Sequence, residues 1–466
     1  MRAPPALLVL LLAGCTVGPD HRAPELPAAP AWSAAAEAGT PTGLAGWWRR
    51  FGDPTLTTLV ERGVAASPSA AEAAARVREA RASLAGERAG DWPSLDASLS
   101  AERRATPSGS FGGFALPGGA RTANSFAAGF DAAFELDLFG GRRRSQEAAA
   151  ARLGAADAEF GSALLTLVGD VARNYVEARG AQARIAVARD TLALRRGTAA
   201  LTRGRARAGL TSELDAMRAE AEAEGAEAAI PPLQTSLANA VNRLAALTGA
   251  TGQEISSLLA APAPVPRLAE GVVPDPPAAV LARRPDVAQA ERQLAAASAE
   301  IGVAEAARYP ALTLAGSLGV NAARLRGATL QNAQAWSFGP SLDLPVFDAG
   351  RRRATVEERR AARDARAAAW RSTVLTAIEE VENAMAALAA ERRRNAAQRR
   401  TVAAYEGAER LARAQYAAGF ASFLDVLDAQ RSLGSARDAL VQSDTALSTG
   451  AIALFKALGG GWDAGR

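Results

Sequence analysis

In 466 residues the chain has one cysteine, Cys15, one histidine, His21, and one lysine, Lys456. These scarcities exclude much chemistry. A zinc cluster needs several thiols or imidazoles, a Walker-type phosphate loop needs a lysine within GxxxxGK, and a disulfide needs two cysteines. A Ser-His-Asp triad in a folded core is also out of reach, because His21 stands in a Pro-rich N-terminal stretch and reads as a solvated linker residue. Aromatics make up only 5% of the chain, against 49% hydrophobic and 22% charged residues. That balance fits neither a disordered chain nor a bundle of membrane-spanning helices. Basic and acidic residues nearly cancel, 53 − 49 = +4. The pI is 9.8, yet acids are interleaved with the arginines throughout, so no nucleic-acid partner is expected. A carboxylate pair is the one catalytic device left, and no α/β framework is visible to hold it, so no enzymatic activity is expected.

The N-terminus carries the first positive signal. Arg2 precedes a short apolar run that ends Leu11-Leu12-Ala13-Gly14-Cys15. The run is too short to span a bilayer and has the form of a secretory signal. Small and aliphatic residues before the only cysteine match a bacterial lipoprotein signal, in which the thiol of Cys15 is acylated and becomes the first residue. That covalent lipid is the only non-protein group expected. Thr16 rather than aspartate follows, the pattern of lipoproteins sent to the outer membrane.

The chain also reads twice. Ser67-Pro68 to Trp92-Pro93 aligns without a gap on Arg284-Pro285 to Tyr309-Pro310, an offset of 310 − 93 = 217. Gly141-Arg142-Arg143-Arg144 matches Gly350-Arg351-Arg352-Arg353 at 350 − 141 = 209, and AGLTSELD from Ala208 matches AGFASFLD from Ala418 at 418 − 208 = 210. Two tandem halves therefore organise the chain. The expected division is a signal peptide at 1–14, a lipid-anchored tether and equatorial segment at 15–66, and repeat 1 at 67–261. A Pro-rich link at 262–277, repeat 2 at 278–458 and a tail at 459–466 complete it.

Each half predicts two strands, at about 94–103 and 125–138 in the first and about 311–320 and 336–346 in the second. Phe126, Ala128, Phe130, Ala132, Phe134, Leu136 and Leu138 take every second place, opposite Asp131, Glu135 and Asp137. Such alternation fits a strand that is apolar on one side, as in a membrane β-barrel; a half-buried strand of a soluble sheet has the same period. The lipid anchor, and the lack of any other β-rich segment to bury that face, favour the membrane. Four strands cannot close a barrel, since bacterial barrels need about eight or more and cannot leave edges open in lipid. The chain must then oligomerise: two copies give 8 strands, three give 12.

The helices are long. Ala354–Ala418 holds no proline, and Trp370, Val374, Ile378, Val381, Met385 and Leu388 recur at 18/5 = 3.6 residues. About 60 helical residues would reach roughly 90 Å. Ser145 to about Arg203 is the counterpart in the first half. Pro231-Pro232 and the polar stretch Glu391–Arg400 interrupt the apolar pattern, suggesting a belt of extra structure there.

Several spaced motifs carry a family resemblance: Cys15-Thr16-Val17-Gly18-Pro19, Trp47-Trp48 with Phe51-Gly52-Asp53-Pro54, and Glu135-Leu136-Asp137-Leu138-Phe139-Gly140. Arg283-Arg284-Pro285-Asp286-Val287, Tyr309-Pro310 and Leu427-Asp428-Ala429-Gln430-Arg431 add to them. Together they resemble the TolC/OprM-type outer-membrane efflux proteins, in the NodT-like lipoprotein branch. The resemblance implies a mainly α fold with a membrane β-barrel portion. Three chains would form a 12-stranded barrel that continues into a 12-helix tunnel with an equatorial belt. It further implies a passive exit duct in the outer membrane that extends through the periplasm. Its partners would be a periplasmic adaptor (membrane fusion) protein, an inner-membrane pump of the RND type, and outer-membrane lipid. The competing reading is a periplasmic coiled-coil structural or adaptor-like lipoprotein without a channel.

Two helix–helix turns, Arg207–Ser212 and Ala417–Ser422, are the expected periplasmic tip. Gly209 and Gly419 suit helix C-termini and Ser212 and Ser422 suit N-caps, which explains them by structure alone. The resemblance adds that the tip, with Asp215 among its residues, docks the adaptor. Beyond the second turn Asp425, Asp428 and Arg431 follow at intervals of three, near one helical face. Where the second half has Asp428 and Arg431, the first has Arg218 and Ala221. In a three-fold tunnel one aspartate per chain makes a ring of like charges that must be bridged to stay shut. The resemblance places a gate at Tyr416, Leu424, Asp428 and Arg431, with Asp425 alongside; a solvated intrahelical Asp–Arg pair is the competing account.

Overall fold

A computed structural model of the chain describes residues 16–26, 31–33, 44–106, 121–268, 272–325 and 328–460. The expected signal segment, Cys15, the Gly-rich stretch 107–120 and residues 461–466 of the tail lie outside the described residues. After a short 3-10 turn at Trp47–Phe51 come α1 (Pro54–Ala66), α2 (Pro68–Ala89), β1 (Ser94–Thr106), β2 (Arg121–Leu136) and α3 (Gly141–Arg207). Then follow α4 (Glu213–Ala228), α5 (Ile230–Thr248), α6 (Gly252–Leu258), α7 (Pro277–Arg283) and α8 (Pro285–Ala306). The second pair of strands, β3 (Ala311–Leu325) and β4 (Ala328–Asp343), precedes α9 (Arg351–Ala417) and α10 (Phe423–Ala457). The chain forms two compact units, and each draws on both repeats. One holds residues up to Pro24 with Arg78–Ala155 and Ala290–Trp370; the other holds Glu25–Val77, Ala156–Gln289 and the chain from Arg371 onward.

The first unit contains an antiparallel sheet in the order β1-β2-β3-β4. Its register sorts the alternating residues onto common faces. Leu99 stands opposite Ala128, Ala128 opposite Val320, Phe130 opposite Leu318, and Leu318 opposite Trp336, so one face is apolar across all four strands. On the other face Asp96, Asp131, Ser317 and Ser337 make a single row. The chain's own helices do not cover the apolar face: Leu99 is 85% exposed, Trp336 78% and Phe338 75%. Single exposed apolar residues are ordinary, but a continuous face of them marks a surface that meets something other than water. Among the described residues no helix is long and apolar enough to cross a membrane.

Strand ends differ somewhat from the apolar pattern. β2 stops at Leu136 because Leu138 N–H turns back to the Leu136 carbonyl at 2.9 Å. Val346 lies past β4, which ends before Pro345, a residue with no N–H to donate. At its other end β4 begins at Ala328, well before the first apolar residue of the pattern.

The second unit is helical around a core where Trp47 stacks on Phe455 at 5.0 Å, with Leu56, Leu59, Tyr175, Leu244 and Ile255 fully buried. Asp53 caps α1, its Oδ1 accepting from Thr55 N at 2.9 Å and Leu56 N at 3.1 Å, while Pro54 fills the first turn. Its other oxygen accepts from Tyr175 OH at 2.6 Å, and Arg179 Nε donates to the same hydroxyl at 3.0 Å. Burial, then the bond to Asp53, pushes the Tyr175 phenol up to about 12. The buried Arg284 likewise ties Asp286 (3.0 and 2.6 Å), Glu380 (2.6 Å) and the Ala457 carbonyl (2.7 Å) together. These contacts account structurally for the Phe51–Pro54 and Arg283–Asp286 motifs. The polar stretch of α9 does not break the helix. Glu391, Asn395 and Arg399 are satisfied by α10, through Ser443 Oγ to Glu391 at 2.5 Å and through Asp444 to Asn395 and Arg399, each at 2.8 Å.

Candidate gate at the paired helical turns

Both turns lie in the second unit and use one backbone solution. At the end of α3, Gly209 takes φ 70° and Leu210 N–H reaches back to the Arg205 carbonyl at 2.8 Å. At the end of α9, Gly419 takes φ 82° and Phe420 N–H reaches the Gln415 carbonyl at 2.8 Å. A left-handed residue closing six-to-one over the last turn favours glycine at both places. Ser212 then caps α4 by accepting from Asp215 N at 3.2 Å, and Thr211 Oγ1 donates to the Asp215 carboxylate at 2.9 Å. Ser422 caps α10 with a full capping box: Asp425 N donates to its Oγ at 3.3 Å, while Ser422 N and Oγ both donate to Asp425 Oδ2 at 2.8 Å. The Ser422 hydroxyl, then its N–H, holds the Asp425 carboxyl below the usual carboxylate range.

The expected gate residues fall into four environments. Tyr416 is 6% exposed and packs in a small core with Ala199, Ala219, Phe423, Val426 and Leu427. Arg205 lies over its ring at 4.6 Å and donates to the Tyr416 carbonyl at 3.1 Å, placing a cation at the C-terminus of α9. Asp425 is engaged by the cap. Leu424 and Asp428 are exposed on α10, and Asp428 makes no hydrogen bond among the described residues.

Arg431 hydrogen-bonds to neither aspartate; its bond to Glu222 and, to a lesser degree, the charge of Asp428 raise its guanidinium above the ordinary range. It pairs with Glu222 of α4, whose other oxygen is 3.0 Å from Arg195 Nη1 of α3. Arg195 also donates to the Glu222 carbonyl at 3.1 Å. A half-buried carboxylate thus joins two arginines from different helices. Gln430 adds a tie beside it, donating to Thr198 Oγ1 at 3.0 Å. Sequence reasoning missed Glu222, Arg195 and Arg205. Nothing in their local pattern marks them, because their partners lie on other helices. Around the turns Leu210, Leu214, Met217 and Phe420 remain exposed.

Comparison with known proteins shows the family. A family model described as outer membrane efflux protein matches residues 59–250 and 277–460. The chain is 36% identical over 462 residues to nodulation protein T of Rhizobium leguminosarum bv. viciae, covering 98% of this chain and 93% of that one. It is 33% identical over 465 residues to outer membrane protein OprJ of Pseudomonas aeruginosa, covering 99% and 96%. The solved outer-membrane channel OprN superposes with a TM-score of 0.85 at 33% identity, covering 96% of this chain and all of that one. The chain belongs to the outer membrane efflux protein family, a family of transport channels. It is an outer-membrane efflux channel of the TolC/OprM type, with a helical tunnel and a β-barrel portion, and it reaches through the periplasm. Family membership sets aside the reading as a coiled-coil lipoprotein without a channel.

Proposed function

We propose that three copies of the chain close a 12-stranded barrel and a tunnel shut at the periplasmic end by the paired helical turns. The observation that carries this is the bare apolar face of a four-stranded sheet, too small to close alone in lipid. Three copies supply twelve strands with no free edge. Asp428 is the gate's charge, one per copy, exposed and without a hydrogen bond among the described residues, with Leu424 beside it as an apolar constriction. Arg431 acts through its hold on Glu222, which keeps α10 against α4. Tyr416 packs the turn from inside, and Asp425 fixes the start of α10.

The turns, with Gly209, Ser212, Asp215, Gly419 and Ser422, are the docking surface for a periplasmic adaptor that links the duct to an RND-type inner-membrane pump. The exposed Leu210 and Phe420 suit such contact. Cys15 carries the lipid, and the repeat boundaries stated above mark the domains. The duct performs no chemistry on what it passes; it supplies a watery path with a closable end, and small molecules are its cargo. Native mass spectrometry of detergent-extracted protein tests the assembly. Three chains per particle are expected, and a stable single copy that needs no detergent contradicts the barrel.

A further inference from the structure

The N-terminal stretch Thr16–Pro24 belongs to the unit that holds the sheet. His21, expected to be a solvated linker residue, is instead half-buried with Nε2 2.7 Å from Glu291 Oε1 of α8, and Arg292 Nε lies 3.2 Å from the same carboxylate. We propose that Thr16–His21 is a fixed strap, held by a seat around Arg144 and against Phe139–Gly140 just past the end of β2. The strap does not rest on the lipoprotein reading above.

Arg144 is the last arginine of the Gly141–Arg144 run, a motif the gate leaves unused. Its side chain is 5% exposed and its donors are largely spent on the strap. Nε donates to the Val17 carbonyl at 3.1 Å, and Nη2 to the Gly18 carbonyl at 3.2 Å and Asp20 Oδ1 at 2.7 Å; Nη1 reaches Glu147 at 2.7 Å. Val17 N–H donates to the Phe139 carbonyl at 3.1 Å. Gly18 has φ 89°, and a Cβ there would overlap the Cα of Gly302, so the strap lies directly on α8. Removing this buried guanidinium takes the donor from two strap carbonyls and the charged partner from Asp20, whose exposed carboxylate turns to water.

The internal repeat supplies its own control. At 353 − 144 = 209 the counterpart of Arg144 is Arg353, exposed and without an ion pair among the described residues. At 302 − 217 = 85 and 291 − 217 = 74 the counterparts of Gly302 and Glu291 are Ala85 and Ala74. The duplicated helices diverge at these strap contacts. The seat is built once, where the strap lies.

Arg22 is exposed within this stretch and offers trypsin a site at Arg22–Ala23. Cleavage requires the seated strap to open locally. In the detergent-extracted full chain, release of the peptide Cys15–Arg22 is expected to be slow. Arg144→Gln is expected to speed it at least about tenfold, as is Gly18→Val, which leaves Arg144 in place. Arg353→Gln should leave the rate unchanged. Hydrogen exchange at Val17 in the unaltered protein gives a second readout, with strong protection expected. Equal release from all four proteins, or exchange at Val17 at the rate of an unfolded peptide, overturns the strap. The mass of the released peptide reports separately on acylation: a bare thiol at Cys15 sinks the lipoprotein reading and leaves the strap standing.

Discussion

At Gln415–Asp425 and at Arg205–Asp215 the chain reverses direction through the same backbone path, a left-handed glycine followed by a serine cap. The second turn continues with Asp428 and Arg431; the first continues with Arg218 and Ala221. The caps differ too, since Asp425 completes a reciprocal box whereas Asp215 pairs with Thr211. The backbone is thus the part the two halves share, and charge is the part that distinguishes them. A duplicated hairpin can keep its turn for structural reasons while only one copy carries an exposed aspartate, Asp428, three residues before an arginine. The clasp from Glu222 to Arg431 couples the two, holding the second turn's helix to the first turn's helix.

Breaking that clasp is the largest test of the contrast. Glu222→Gln or Arg431→Ala is expected to raise the open probability of reconstituted channels severalfold in single-channel recordings, since the first takes the charged partner from two arginines and the second takes from Glu222 its tie to α10. Arg218→Ala, on the turn without a clasp, should leave it unchanged. Equal effects from both turns would show that the halves gate alike.

Next comes the cap. Ser422→Ala removes a reciprocal pair of bonds and is expected to cost about 1 kcal/mol of local stability, and Ser212→Ala somewhat less. Hydrogen exchange at the first turns of α10 and α4 reads the two directly. Identical losses would erase the distinction between box and single cap.

A smaller effect depends on pH. Because the folded-state pKa of Asp425 is depressed by Ser422, its contribution is present above the ordinary carboxylate range and is lost as pH falls through the folded value. The difference in melting temperature between wild type and Asp425→Ala should therefore be present at pH 7 and close below about pH 4. At the alkaline end Tyr175 behaves oppositely. Its folded pKa of about 12 exceeds the unfolded value, so its contribution is full below about pH 10 and fades as pH rises from there through about 12. Thermal melts of Tyr175→Phe should lack that alkaline loss.

Much of the fold was legible because it repeats at short range. The alternation from Phe126 to Leu136 marks the lipid-type face of β2, and proline-free runs mark α3 and α9. Glycine and serine at fixed places mark both turns. What stayed hidden joins residues far apart: Glu222 meets Arg431, Arg144 meets Val17, and His21 meets Glu291. Period and propensity encode which face a residue takes, not which distant residue comes to lie against it. The early start of β4 is a similar case, since hydrogen bonds to β3 extend it through Gln331 and Asn332, which show no apolar alternation.

Planar-bilayer conductance of purified wild type beside Asp428→Ala tests the central claim most directly. The account predicts small, rarely open wild-type events and a clearly larger, longer-lived conductance in the variant. Indistinguishable traces would remove Asp428 from the gate, and no conductance from either protein would contradict the duct.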